Sequence, residues 1–323
     1  MEHKWLKLLR IHTFSLTGPA VIIGYILQGN VDLYYAIAIL IYALLFHAFG
    51  FLWNNIFDLK YDKLDPAKKH FPLVSGEIKL SQARTVAIGG TALTFVYGLF
   101  LFSNNIFSFI FFISAIVFGF AYNITNKIFE HAHIFIALSF SSLVISPFLE
   151  FHSFNLVILT YFIFSFFTMM FQNQISGNIK DLGVPQKNLL KTLGCRLIDN
   201  DMYNTNAVLF YAFGLRFAVL FSGIALITFL YKDVPLVITL IAFEIMQVIV
   251  FKYTIDLLRP GNFDRDKRVQ IMSFVEITNY YSLVVIVTIY AGLYVDLFLY
   301  LFPIVYFIIM NRITWGTVLG PKV

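Results

Sequence analysis

The chain reads as a succession of long apolar runs separated by short polar intervals. Runs near the ~20 residues needed to cross a bilayer fall at roughly 12–28, 33–54, 82–103, 105–122, 132–149, 153–174, 205–230, 234–252 and 279–294. A final stretch, about 297–311, is either a tenth span or the tail of a long ninth. The runs are continuous, with no period-two alternation. Only helices and closed barrels satisfy the backbone in lipid, so helices are expected. The predicted fold class is all-α: a polytopic membrane bundle of about nine, or ten, transmembrane helices. The whole chain, residues 1–323, is expected to form one integral-membrane domain.

Composition agrees with this reading. Hydrophobic residues make up 59% of the chain, charged residues 13%, and 38 of the 323 residues are Phe. Mean hydropathy is +0.79. A soluble domain carries about 25% charge, so there is too little here to solvate a water-borne surface. The single cysteine, Cys195, excludes an intrachain disulfide framework. The basic start, MEHKWLKLLR, leads into an apolar run without a small-residue cleavage site, so no cleavable signal is expected. The net charge of +5 suits inner loops that face anionic membrane lipid, and nucleic acid is not an expected partner.

The charges are not evenly spread. Lys4, Lys7 and Arg10 precede span one, and Lys60, Lys63, Lys68, Lys69 and Lys79 follow span two. Lys127 follows span four; Lys180, Lys187, Lys191 and Arg196 follow span six; Arg259, Arg265, Lys267 and Arg268 follow span eight. The alternate connections offer only Lys232. By the positive-inside rule the N-terminus and the long loops, roughly 55–81, 175–204 and 253–278, are cytoplasmic, with a bacterial inner membrane as the simplest setting. The large loops after spans two and six hint at a repeated four-span unit.

Two of these loops carry candidate chemistry. After span two the sequence runs Asn54-Asn55-Ile56-Phe57-Asp58-Leu59-Lys60-Tyr61-Asp62-Lys63-Leu64-Asp65. If the helix continues past the membrane surface, Asn54, Asp58 and Asp62 fall at i, i+4 and i+8, on one face. Stacked carboxylates repel unless a cation lies between them, and Mg2+ typically takes one or two carboxylates plus substrate phosphates. The plain alternative is a solvated helix end neutralised by Lys60 and Lys63. After span six the sequence is Gln172-Asn173-Gln174-Ile175-Ser176-Gly177-Asn178-Ile179-Lys180-Asp181. Amides inside a span are costly and usually face a cavity or partner. Lysines beside a carboxylate suit a metal-bound diphosphate; taken alone, the segment also reads as an ordinary basic loop.

The stretch Asn54 to Gly76, NNIFDLKYDKLDPAKKHFPLVSG, resembles the first aspartate-rich motif of the UbiA superfamily of intramembrane prenyltransferases, N-D-x-x-D-x-x-x-D followed by R-P-x-x-S-G. Asp181 to Leu193, DLGVPQKNLLKTL, is similar to the family's second motif, D-x-x-x-D with a downstream K-T-L. Tyr122 and Lys127 resemble its tyrosine–lysine pair, and Arg10-Ile11-His12-Thr13 resembles the start of its first span. The resemblance implies that Asn54, Asp58 and Asp62 hold Mg2+ on a prenyl diphosphate and that Asp181 holds a second ion. It also implies that Lys68, Lys69, Lys127 and Lys180 grip the diphosphate, with Asn55, Tyr122, Asn173 and Asn178 in the substrate-binding set. Asp58, Asp62, Asp181 and Lys127 are the implied catalytic residues. The allylic chain would lie among Phe rings able to stabilise a carbocation.

Three positions depart from the pattern. Asn55 stands for the usual Asp, Phe71 for the Arg of R-P, and Pro185 for the second Asp of the second motif. The expected activity is Mg2+-dependent transfer of a prenyl group from a prenyl diphosphate to an aromatic or lipid-like acceptor. Two rivals are a UbiA-type terpene cyclase, which needs no acceptor, and a non-enzymatic membrane carrier. A carrier more often places its charges near the bilayer midplane.

Other polar residues lie within the apolar runs. Arg216 and Glu244 are expected as a buried ion pair, or as groups that orient an acceptor. Glu276, just before span nine, has the same two readings. His47 is expected as a hydrogen-bonded packing residue, and His131, His133 and His152 show no metal-ligand spacing.

Overall fold

The computed structural model describes residues 3–29, 32–183 and 187–317. Among these, eight helices are long and apolar enough to cross a membrane, and two shorter apolar helices accompany them. In chain order the helices are α1 (Phe14–Ile26), α2 (Leu33–Asp62), α3 (Leu80–Phe102), α4 (Ile106–Thr125), α5 (His133–Leu149), α6 (Leu156–Phe171), α7 (Asn206–Leu230), α8 (Asp233–Leu258), α9 (Arg265–Ala291) and α10 (Leu293–Trp315). The chain packs as two compact units. The first holds residues up to Ile124, Leu143–Ser153 and the residues from Ala291 onward; the second holds Thr125–Ser142 and Phe154–Tyr290.

In the first unit, α2 sets the geometry. Its 30 residues span about 45 Å at 1.5 Å per residue, against a hydrocarbon core of about 30 Å. The excess of about 15 Å is about ten residues, enough to carry Asn54 to Asp62 beyond the apolar layer. Asp32 caps the start of the helix, accepting from the Tyr35 N–H at 2.7 Å. The partner α3 approaches closely because Gly90 faces Phe49: a Cβ there would stand 2.0 Å from the Phe49 ring. The Trp53 indole N–H donates to Thr91 at 2.9 Å beside that contact.

In the second unit, α6 packs along α7, and α8 lies against α7 with Gly223 meeting the Phe243 ring. Helix α6 runs on through a π turn, Gln172–Gly177, and a last short turn, Asn178–Lys180. The expected long loop after it folds into a one-turn helix, Leu189–Thr192, and a hairpin of β1 (Arg196–Ile198) and β2 (Asp201–Tyr203). Asp199 and Asn200 both take left-handed conformations, φ 48° and 66°, as a tight hairpin turn requires. β3 (Gly261–Asn262) pairs antiparallel with β2, Met202 opposite Gly261.

Two expectations are corrected. Span nine does not begin near 279, and 253–278 is not a loop: α8 reaches Leu258 and α9 already begins at Arg265. A hydropathy reading starts a span only where charges stop, but here the charged first turn is capped and bonded. Asp264 accepts from the Lys267 N–H at 3.0 Å, and Arg268 donates to the carbonyls of Asp256, Leu257 and Arg259 at the end of α8. Glu276 therefore lies inside α9. The stretch near 297–311 is a separate helix, because Gly292 at φ 81° breaks the chain between α9 and α10.

Candidate functional site

The first motif is built on the inner end of α2. Asn54, Asp58 and Asp62 are buried at 9%, 6% and 6% exposure, and Asp65, just past the helix, at 5%. Carboxylates gathered in one segment and taken out of solvent disfavour one another's charge unless positive charge is brought to them. Lys68 brings one: its ammonium lies 2.7 Å from Asp62 Oδ1. It sits in a 3-10 turn, Pro66–Lys68, held by a bond from the Lys68 N–H to the Asp65 carbonyl at 3.0 Å. Asn54 Nδ2 makes no hydrogen bond among the described residues. Lys69 is exposed.

Asn55 is turned the other way. Its Nδ2 donates to the Leu8 carbonyl at 2.7 Å, and its Oδ1 accepts from Arg10 at 2.9 Å. Arg10 has left-handed backbone, φ 49°, and its guanidinium lies 4.9 Å from the Phe51 ring. The Arg10 carbonyl accepts from the Thr13 hydroxyl at 2.8 Å and lies 3.2 Å from His47 Nε2. His47 Nδ1 lies 3.1 Å from the Thr17 hydroxyl, so this ring is a hydrogen-bonded packing group. Phe71, in the family's Arg position, packs against His70 and Trp315 at 5.1 and 6.2 Å between ring centres. Trp315 also meets His12 and takes the Lys7 ammonium over its ring. Nothing in the spacing of the sequence pointed to Trp315. Tyr122, at the end of α4, is half-buried.

The second motif is built on the π turn. Asn173 Nδ2 donates to the Met169 carbonyl and Asn178 Nδ2 to the Gln174 carbonyl, both at 2.9 Å. The Asn178 carbonyl accepts from Asn188 at 2.7 Å, tying the turn to the segment downstream. Gln174 and Ser176 are fully buried, and their side-chain polar atoms make no hydrogen bond among the described residues. Asp181 is half-buried, 3.8 Å from Arg265 Nη2. His133, in the first turn of α5, lies within electrostatic range of Lys127, Lys180 and Asp181. Lys191 joins them: burial lowers its ammonium pKa, opposed by the Asp181 carboxylate. It stood outside the expected set, and its downstream K-T-L placement was the signal. Thr192, in the same element, donates to Glu130. Cys195 is buried, which raises its thiol to about 11 and leaves it protonated near neutrality. Pro185 lies outside the described residues.

The expected Arg216–Glu244 pair does not form. Arg216 is fully buried; its Nε donates to Thr254 at 3.1 Å and its Nη1 to Asn279 at 3.0 Å, with the guanidinium 3.3 Å from the Phe171 ring centre. Glu244 is exposed on the outer face of α8. Glu276 is hydrogen-bonded to Gln172 and lies near Lys180.

Among the described residues no three His, Cys, Asp or Glu side chains form a ready metal cage. The donors that do lie together, two buried carboxylates and an amide, fit Mg2+ rather than a caged ion, because Mg2+ keeps waters and takes substrate phosphates for the rest of its shell.

The fold and its helix-end charges thus define an all-α polytopic membrane protein with its acidic and basic groups gathered in short segments. The chain belongs to the UbiA prenyltransferase family, whose sequence profile matches residues 17–257. It is 29% identical to the digeranylgeranylglyceryl phosphate synthase of Methanocaldococcus jannaschii over 99 residues, 30% of this chain and 34% of that protein. The chain therefore spans about a third of that relative's length. Its fold is similar to a UbiA homologue from Aeropyrum pernix K1 without ligand (TM-score 0.65, 17% identity, covering 85% of this chain and 98% of that one). It is also similar to a UbiA homologue from Archaeoglobus fulgidus bound to DMAPP and Mg2+ (TM-score 0.58, 17% identity, covering 87% and 99%).

Proposed function

We propose that this protein transfers a prenyl group from a prenyl diphosphate to an aromatic or lipid-like acceptor within the membrane, with Mg2+ as the metal. The observation that carries this reading is the buried row Asn54, Asp58 and Asp62 at the end of α2. Asp58 and Asp62, with Asn54, would hold the ion. Bound there, Mg2+ neutralises charge on the leaving diphosphate. Lys68 adds a second positive group at the same carboxylate, and Lys69 stands exposed next to it. In the transfer the allylic C–O bond breaks and the diphosphate keeps its electron pair. The acceptor forms the new bond and releases a proton. In the second unit, Asp181 with Lys127 and Lys180 is proposed as a further set for metal and diphosphate, with Asn173 and Asn178 at its π turn. Tyr122 and Asn55 are proposed in supporting roles, Asn55 through its bonds to Arg10 and Leu8. The basic loops are proposed to face the cytoplasm.

The test is a series of prenyl diphosphates of increasing length with Mg2+ and candidate acceptors, read by product mass, with one arm lacking acceptor. Prenylated acceptor is expected from the native protein and none from purified Asp58→Ala. A hydrocarbon or terpene alcohol in the acceptor-free arm would assign a cyclase instead. Failure to bind any prenyl diphosphate would overturn both readings.

A further inference from the structure

We propose that Lys68 is a built-in counter-cation of the first motif, so that this site refuses Mg2+ alone and accepts it together with the diphosphate. The inference rests on the reading of the site given above and concerns the order in which it fills. Lys68 Nζ lies 2.7 Å from Asp62 Oδ1, and the Asp62 side chain is only 9% exposed. This is the oxygen-rich face that an ion would use. Lys60, Lys63 and Lys69 are exposed, and Arg10 is committed to Asn55. Lys68 is set directly against a buried carboxylate.

The sign of its effect depends on what arrives. A divalent ion brought to the same carboxylate meets an ammonium of like charge, and in a partly dry site that repulsion is poorly screened. Lys68 therefore weakens the binding of metal alone. A diphosphate brings several negative charges with the metal, and the same ammonium becomes its partner through a charge-assisted bond. Only the lysine side chain must swing, since its backbone is held in the 3-10 turn by the bond to Asp65. The outcome is a coupling between metal and diphosphate beyond their direct contact, and by linkage each raises the affinity of the other by the same factor.

Metal binding to the whole detergent-solubilised protein tests this, with Mn2+ followed by electron paramagnetic resonance and Mg2+ by calorimetry, each with and without geranyl diphosphate. Lys68→Gln should tighten Mn2+ alone about ten-fold and weaken metal-loaded geranyl diphosphate about ten-fold, the size of one charge-assisted contact. Lys68→Arg should keep the native pattern. Lys68→Met replaces Lys68→Gln if the latter does not purify as a monodisperse protein. Unchanged or weaker Mn2+ binding in the neutral variants would overturn the proposal. A native protein that binds neither metal nor geranyl diphosphate would instead overturn the functional reading on which it rests.

Discussion

The two motif regions, proposed to serve one reaction, are built on different local structure. The first stands on a regular α-helix that outruns the apolar layer, so spacing alone aligns Asn54, Asp58 and Asp62. The second stands on a π turn, where amides at Asn173 and Asn178 spend their nitrogens on backbone carbonyls and one carboxylate, Asp181, follows. Each is braced by one arginine over a phenylalanine: Arg10 over Phe51, with Asn55 as its partner, and Arg216 over Phe171, with Thr254 and Asn279. The first region concentrates negative charge on a rigid rod. The second stands on an irregular turn and contributes less charge. A π turn is seldom kept without a function; here Arg216 of α7 lies over Phe171 just before it, and Glu276 of α9 bonds Gln172 within it.

On that contrast, the first motif is expected to dominate metal-dependent chemistry. Asp58→Ala or Asp62→Ala is expected to lower transfer by about 10²-fold or more, the scale of losing a main electrostatic contact in the transition state. The melting temperature should change little, because both residues lie at a helix end. Single-turnover rates in purified variants check this, and retained turnover in either one would break the comparison at its first term.

The first region was largely legible in the sequence and the second was not. Position on a helix follows from spacing, so Asn54, Asp58 and Asp62 could be aligned without coordinates. The π turn inserts a residue that periodicity does not announce, and the long-range partners of Asn55 and Arg216 leave no mark in local sequence. Arg216 looked like the mate of Glu244 because both are charges in apolar runs. Packing placed Arg216 among Thr254, Asn279 and Phe171 and left Glu244 on an outer face. The early start of α9 was hidden for a related reason: Arg268 in its first turns is satisfied by carbonyls at the end of α8 rather than by water.

Arg216 gives the next largest effect. Its site combines a desolvated cation with two neutral acceptors and an aromatic face. Arg216→Lys keeps the cost of burying charge but cannot reach both Thr254 and Asn279. It should cost about 2 kcal/mol or more, comparable to losing a hydrogen bond to a charged group. Arg216→Met removes the charge, fills much of the volume and should cost less, since buried ionic groups are often replaced by apolar ones without loss. Thermal unfolding in detergent orders the two. A Lys variant more stable than the Met variant would contradict the description of this brace.

Within the second motif, Asp181→Asn keeps shape and removes charge. A decrease of about ten-fold in kcat/KM, about 1.4 kcal/mol, is expected, well below the loss at Asp58. Steady-state kinetics against prenyl diphosphate measure it. A loss as large as that of Asp58→Ala would mean the second region carries equal weight, and the contrast between the two would fail.

The smallest effect is expected at Asn55, and it separates family resemblance from local structure. Asn55→Asp restores the residue usual in the family motif and adds a carboxylate one position from Asn54. Charge counting alone says that metal should bind more tightly. The geometry says otherwise. The side chain faces Arg10 and the Leu8 carbonyl, and an Asp there gains an ion pair with Arg10 but loses the donor that Asn55 Nδ2 gives to Leu8. The carboxylate would also be set against that carbonyl oxygen, left without its donor in a buried place. The new charge would be neutralised by Arg10 and kept off the face of Asn54, Asp58 and Asp62. Metal affinity should therefore change by less than about three-fold, under 1 kcal/mol, with a small fall in melting temperature. Calorimetry on Asn55→Asp decides it. A ten-fold gain in Mg2+ affinity would show that the side chain turns toward the motif and that Arg10 braces it less firmly than the 2.9 Å bond implies.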